Sequence, residues 1–432
     1  MEIAPQIIAL ISFALIFLTL FTGMYIFVAL GLSALISAAL FQHSWAAMPY
    51  ILFDNANSFI LTAILTFVFM GEVLYRSGAT MILFRGAVAI LKFLPGGLYH
   101  AVILASAVFA ATCGSSAASA ATIGRIALPE LLDRGYNKRL ALGTIAGGST
   151  LANLIPPSLG FIVYGACTQE SVSRLFMAGV IPGVIIALMM MIYIVIIIKI
   201  HPEYIKPAPP ISFKQSFKDI LNLIPIFIII VFVLGSIYRG IATPTEAGTV
   251  GALSSLILAA FYRKLNWKVI KESGFAAVKV TSMVMMLFIT AYMMGSVFGA
   301  MRVPKIIMEW VATAGFSPLK VLIGVIVIYT IMGFFMETLP VLVLTIGIVY
   351  PLMINLGYDG IWFGVVATII LAAGMITPPV GICLYVTQAL PPTSSLLEVS
   401  RGCVAFCVIL YIMAFLLIIW PELATWLPNM VM

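Results

Sequence analysis

The sequence predicts an all-α polytopic membrane protein built from two inverted repeats, each with about five spans and one re-entrant hairpin. Three observations carry that expectation. Of 432 residues, 63% are hydrophobic and only 9% are charged, against roughly a quarter charged in soluble domains. Apolar stretches near the ~20 residues needed to cross a hydrocarbon core of about 30 Å follow one another along the chain. Landmarks of the first half also return in the second at a nearly constant offset. Thr122-Ile123-Gly124 recurs as Thr345-Ile346-Gly347, Pro129 as Pro351, Gly135-Tyr136 as Gly357-Tyr358, and Pro156-Pro157 as Pro378-Pro379. Several landmarks at one spacing mark an internal duplication.

This composition excludes a soluble enzyme, a nucleic-acid-binding protein and a disordered scaffold. The net charge of +7 comes from basic residues spread over short loops, with no basic stripe interleaved with aromatics. The five cysteines form no C-x-x-C pair. Cys403 and Cys407 share a helix face and read as packing residues.

The first repeat covers residues 1–200. The run from Pro5 to Phe41 is too long for one span and divides near Thr22-Gly23. No basic residue precedes Arg76, and a cleavable signal peptide needs a basic flank, so the opening run reads as a retained span. Another span follows from about Asn57 to Tyr75. The segment carrying Arg76, Arg85 and Lys92 reads as an interfacial helix, closing a first helical group at 5–92. Leu98 to Gly124 is apolar but interrupted at Thr112-Cys113-Gly114-Ser115-Ser116. Such a break at membrane depth predicts a re-entrant hairpin shielded by protein. Arg139 to Gly165 is broken at Asn153 and Ile155-Pro156-Pro157-Ser158, so hairpin and broken helix together occupy 98–166. Residues 174–200 form an uninterrupted span. The connector 201–218, with Lys206, Lys214, Lys218 and four prolines, separates the repeats.

The second repeat, 219–432, follows the same plan. Spans from about Ile220 to Tyr238, Thr243 to Tyr262 and Ala276 to Met301, with a short segment carrying Arg302, Lys305 and Glu309, make a group at 220–313. Residues 318–390 hold a hairpin broken at Gly333 to Pro340 and a helix broken at Gly374 to Gly381. A final span covers 401–421. Five crossings is an odd number, so the copies enter the membrane from opposite faces, an arrangement shared by many secondary transporters. With the first hairpin entering from the cytoplasm, 16 of the 22 basic residues fall on inner loops. The positive-inside rule selects that orientation, with both termini outside.

The chemistry is expected at the four breaks. Each frees helix-end carbonyls and amides that need partners. Carbonyls at half-helix C-termini suit a dehydrated cation, and N-termini suit a carboxylate. Pro157 and Pro379 donate no N–H and leave nearby peptide oxygens uncommitted. Ser115, Ser116, Ser119, Ser158, Thr338 and Thr377 add uncharged oxygen ligands, which is alkali-ion rather than transition-metal chemistry. Glu337 is an ionisable group inside a hairpin, and two roles fit it: a cap satisfied by hairpin amides, or a direct contact to cation or substrate. Glu246, after Thr243-Pro244, has the spacing of a capping box and reads as structural. Glu72 and Asp54 lie near span ends and are given no special role.

The chain resembles the large membrane subunit of tripartite ATP-independent periplasmic (TRAP) transporters, the DctM-like family. The resemblance rests on Gly114-Ser115-Ser116 with Ala120-Ala121-Thr122-Ile123-Gly124, Ile155-Pro156-Pro157-Ser158, Leu175-Phe176-Met177-Ala178-Gly179, Thr243-Pro244-Thr245-Glu246-Ala247 and Thr377-Pro378-Pro379-Val380-Gly381. It implies an elevator-type ion-transporter fold, in which a hairpin-containing domain slides against a scaffold (5–92 and 220–313). It also implies Na+-coupled uptake of organic acids such as C4-dicarboxylates or sialic acid, across a bacterial inner membrane. The implied partners are a small four-helix membrane subunit and a periplasmic substrate-binding protein, both separate chains. One implied sodium site involves Ser115, Ser116, Ala152, Ile155 and Pro156; the second involves Gly333, Gly374, Thr377 and Val380. The implied substrate face comprises Ser115, Ser116, Asn153, Pro157, Ser158, Glu337, Thr338, Thr377 and Pro379. Cys113 and Ala152 stand where the family often has Ser and Gly, and neither change removes a carbonyl.

The expected function is therefore a sodium-coupled permease subunit and not an enzyme. The alternative is a sodium- or proton-coupled organic anion transporter acting without a binding protein. A channel is disfavoured because the polar residues cluster at mid-depth instead of lining a continuous path. An intramembrane hydrolase using Ser115 or Ser116 lacks a His or Lys base at either hairpin.

Overall fold

The computed structural model describes residues 5–40, 42–205, 213–390 and 394–431. Lys206, Pro207, Pro209 and Pro210 of the expected connector lie outside them, as does the side chain of Cys113. The described residues are mostly helical, with no strand among them. The first repeat holds α1 (Pro5–Phe21), α2 (Ile26–Leu40), α3 (Met48–Ala56), α4 (Phe59–Arg76), α5 (Ala79–Leu91), α6 (Gly97–Cys113), α7 (Ser116–Asp133), α8 (Lys138–Ser149), α9 (Leu159–Thr168) and α10 (Val172–Ile200). The second holds α11 (Phe213–Tyr238), α12 (Pro244–Phe261), α13 (Trp267–Ala300), α14 (Val303–Thr313), α15 (Pro318–Phe335), α16 (Thr338–Asn355), α17 (Gly360–Gly374), α18 (Ile382–Gln388), α19 (Leu396–Ile419) and α20 (Glu422–Val431).

The repeat is visible residue by residue. Moving α7 forward by 222 positions lands on the bounds of α16, and the same shift carries α6 to within one residue of α15 at its start. Packing obeys the same exchange. The second hairpin arm of each repeat packs on the second half of the other repeat's broken helix, α16 on α9 and α7 on α18. The first arm packs on its own repeat's broken helix, α6 on α8 and α15 on α17. Outside this core, α4 meets α12 and α13, and α2 meets α13.

Seven described helices are long and apolar enough to cross a membrane: α4, α10, α11, α13, α15, α16 and α19. The broken helices are each divided into two shorter pieces, of which α9 and α17 are apolar. In hydrocarbon, helices gain little from burying apolar surface against one another, so close packing and polar bonds hold them together. Tyr164 Oη donates to Gly360 O at 2.6 Å, tying α9 to α17. Trp362 Nε1 donates to Leu417 O at 2.8 Å, tying α17 to α19.

Three elements differ from the sequence expectation. The helix α3 and the terminal α20 were not anticipated. Each carries a proline within ten residues or so and is too short to span, so neither stands out from the apolar background. The second hairpin break is narrower than Gly333 to Pro340. Only Met336 and Glu337 leave the helix, because Pro340 sits in the first turn of α16, where its missing N–H costs nothing.

Candidate functional site

The two hairpin tips meet through their side chains. The first turns at Gly114, whose φ of +64° places it in the left-handed region open to glycine. Ser115 then caps α7, accepting the Ala118 N–H at 3.5 Å. The second tip turns through extended Met336 and Glu337, and the Glu337 side chain makes no capping bond. The capping role considered for Glu337 is therefore not the one realised. Its carboxylate turns to the other hairpin instead, where Ser115 Oγ donates to Glu337 Oε1 at 2.9 Å.

The broken helices contribute a second polar cluster beside this pair. Asn153 Nδ2 donates to Thr338 Oγ1 at 2.9 Å and approaches Met375 Sδ at 3.7 Å. Ser158 Oγ donates to Asn153 O at 2.6 Å and accepts the Phe161 N–H at 3.4 Å, so it caps α9. Thr377 Oγ1 donates to Ala373 O at 2.7 Å and lies 2.8 Å from Cys407 Sγ. Ser115 and Glu337 stand 222 residues apart, as do Asn153 and Met375. A residue can touch its own repeat mate only near the axis relating the copies, so both clusters lie on that axis.

Two residues of the second implied sodium set, Gly333 and Gly374, approach each other through backbone. A Cβ built on Gly374 would lie 2.7 Å from Gly333 Cα, so α15 and α17 approach more closely than any side chain permits. Gly374 ends α17 and Gly333 lies in the last turn of α15. Two negative helix ends thus face each other, an arrangement suited to a cation. Among the described residues, no backbone N–H reaches Gly333 O, while Thr377 N–H occupies Gly374 O at 3.1 Å. Thr377 and Val380 are half-buried, and Pro379 is exposed.

The first implied set is split between tip and break. Ser115 and Ser116 sit on the hairpin, whereas Ala152 lies in a 3₁₀ turn over Thr150–Asn153, followed by Ile155 and Pro156. That turn packs on both α6 and α7. Among the described residues, no hydrogen bond ends on the carbonyl oxygens of Ala152, Ile155 or Pro156. Ser116 Oγ and Ser119 Oγ are buried without a hydrogen-bond partner. The Pro156-Pro157 and Pro378-Pro379 bonds are both cis, and Pro157 is buried where Pro379 is exposed.

A cavity of about 170 Å³ lies between the tips and the helices α4 and α13. Ser115 and Glu337 form one wall; Glu72, Tyr75, Val280 and Met283 stand on the other. Glu72 is the residue the sequence reading passes over. Its signal was its place inside the apolar run of α4, one turn before the Arg76 that pairs with it, Nε to Oε2 at 3.0 Å. Glu246 is structural as expected: its carboxylate accepts the Thr243 N–H at 2.8 Å while Thr243 Oγ1 accepts the Glu246 N–H at 3.3 Å.

The family model of the tripartite ATP-independent periplasmic transporter, DctM component, matches residues 13–423. The chain belongs to the DctM family. It is 33% identical to the C4-dicarboxylate TRAP transporter large permease protein DctM of Vibrio cholerae, over 97% of each chain. It is 31% identical to the sialic acid TRAP transporter permease protein SiaT of Haemophilus influenzae, covering 87% of this chain and 61% of that one. In fold it is similar to the Alcanivorax borkumensis YdaH transporter, with a TM-score of 0.66 over 90% of each chain at 12% identity. As a DctM-family protein the chain is a multi-pass transporter permease component and not an enzyme.

Proposed function

We propose that this chain is the large membrane permease subunit of a sodium-coupled, binding-protein-dependent importer of a small organic acid, working by an elevator mechanism in a bacterial inner membrane. The observation that carries the reading is the meeting of two helix C-termini at Gly333 and Gly374, with no backbone N–H reaching Gly333 O among the described residues, and none reaching the Ala152, Ile155 or Pro156 carbonyls at the other break. Peptide oxygens at converging negative helix ends replace a sodium hydration shell without a fixed charge. Na+ would be held at Gly333, Gly374, Thr377 and Val380, and at Ser115, Ser116, Ala152, Ile155 and Pro156.

The hairpins and broken helices would move together against α4 and α13, with the cavity at Ser115 and Glu337 as the sliding plane. At about 170 Å³ it is below the ~300–1,000 Å³ of drug-sized ligand sites, which fits a small solute. Asn153, Ser158 and Thr338 are bonded to one another or to backbone in this conformation, so substrate contact there accompanies a rearrangement. Dicarboxylate and sialic acid are the substrates named for relatives, and this chain's acid is drawn from that class. A separate small membrane subunit and a periplasmic binding protein complete the system. Uptake into proteoliposomes holding both membrane subunits should require the loaded binding protein and an inward sodium gradient. Equal uptake without the binding protein, or with potassium in place of sodium, overturns the proposal.

A further inference from the structure

A basic groove lies away from the hairpins, at the N-terminal end of α13. It encloses about 670 Å³ and is lined by Arg76, Trp267, Lys268, Lys271, Glu272, Phe275 and Lys279, together with Ala276. Four cationic groups face one carboxylate. Arg76 pairs with Glu72 and with Glu272, and Lys268 Nζ stands 4.0 Å from Glu272. Lys271 Nζ lies 6.0 Å above the Phe275 ring. No ion pair among the described residues holds Lys271 or Lys279.

The length of α13 sets the depth of this groove. Its 34 residues extend about 50 Å at 1.5 Å per residue, well beyond a hydrocarbon core of about 30 Å. That surplus leaves at least one end of α13 at headgroup level. Trp267 is 75% exposed and Phe275 67% exposed, as interfacial anchors are.

The inverted repeat supplies an internal control. At the same offset of 222, the mates of Trp267 and Phe275 are Trp45 and Phe53, also exposed. Met48, between them, packs with Val297 and Phe298 near the opposite end of α13. Both membrane faces thus carry the aromatic pair. The lysines are on one face only, because Lys268, Lys271 and Lys279 have Ala46, Pro49 and Asn57 as mates. Aromatic anchoring alone is common to both faces; the cationic groove belongs to the side with most of the basic residues, where anionic lipid attracts juxtamembrane lysines.

We infer that this groove binds the headgroup phosphate of an anionic phospholipid of the cytoplasmic leaflet, with Lys268, Lys271 and Lys279 around the phosphate and the Trp267 and Phe275 rings against the upper acyl chain. Arg76 links the lipid to the transport site. It sits between Glu272 in the groove and Glu72 on the wall of the central cavity.

The test is native mass spectrometry of the full chain released from nanodiscs of mixed phosphatidylglycerol and phosphatidylcholine. Wild type should retain phosphatidylglycerol over phosphatidylcholine, and retention should weaken roughly fivefold for each lysine neutralised in Lys268→Gln, Lys271→Gln and Lys279→Gln. The triple Lys→Arg variant keeps the charge and should restore retention, which separates a lost site from a misfolded chain. Millimolar inorganic phosphate should not displace the lipid. Equal retention in wild type and the glutamine variants overturns the inference, and displacement by free phosphate assigns the groove to a soluble anion instead.

Discussion

Ser115 Oγ donates a hydrogen bond to Glu337 Oε1 at 2.9 Å, and these two residues are the same position in the two repeats, 222 residues apart. The duplicated chain has placed a hydroxyl in one copy and a carboxylate in the other, and the axis brings them together. Each repeat alone has only half of this pair. Among the described residues Glu337 has no basic partner within ion-pair distance, so the serine hydroxyl is what satisfies it here.

Removing that hydroxyl should impair transport more than folding. A hydrogen bond to a charged group contributes about 1.5–3 kcal/mol, so Ser115→Ala should lower uptake about tenfold or more. The change also removes the α7 cap, worth about 1 kcal/mol, so the melting temperature should fall only slightly. Paired uptake and thermal-unfolding measurements separate the two effects.

Glu337 itself gives a sharper contrast. It makes no capping bond, so Glu337→Gln should leave the melting temperature nearly unchanged while uptake falls by on the order of a hundredfold, the equivalent of about 2.7 kcal/mol. At α12 the expectation is reversed. Thr243→Ala breaks a complete capping box, and should cost about 1 kcal/mol of stability with uptake per folded molecule preserved.

The Gly333–Gly374 approach allows no side chain. In Gly374→Ala the new methyl would meet Gly333 Cα at 2.7 Å, and the helices must part, at about 1–3 kcal/mol. Half-maximal sodium for uptake should rise at least tenfold. Gly235→Ala on α11 is the matched control, with nothing within 4 Å of its added carbon. It should be neutral or gain about 0.5–1 kcal/mol.

Asn153 tests whether the axis cluster also stabilises the fold. It is 4% exposed and donates to Thr338. Asn153→Ala leaves buried Thr338 without that donor, which should cost about 1–3 kcal/mol, read as a lower melting temperature in detergent.

Much of this was legible in the sequence because the signals are backbone signals. Pro156-Pro157 and Pro378-Pro379 cannot continue a helix, so the breaks at α8–α9 and α17–α18 stand where the prolines put them. Gly114 marks the first tip for the same kind of reason. What stayed hidden depends on which way side chains turn. The sequence left Glu337 open between a cap and a direct contact, and its side chain faces across the axis because its partner comes from a segment 222 residues away. Glu72 looked like a span-end carboxylate, and only the packing of α4 against the hairpins makes it a cavity wall. α3 and α20 lacked the length that marks a span, so nothing in hydropathy set them apart.

Direct sodium binding decides the central claim. A ligand that binds only the native state stabilises it by about 2.7 kcal/mol at a hundred times its dissociation constant. Unfolding of the purified chain should therefore shift upward by several degrees in sodium chloride over potassium chloride at equal ionic strength, and Gly374→Ala should reduce that difference. An identical shift in both salts, unchanged in the variant, would contradict it.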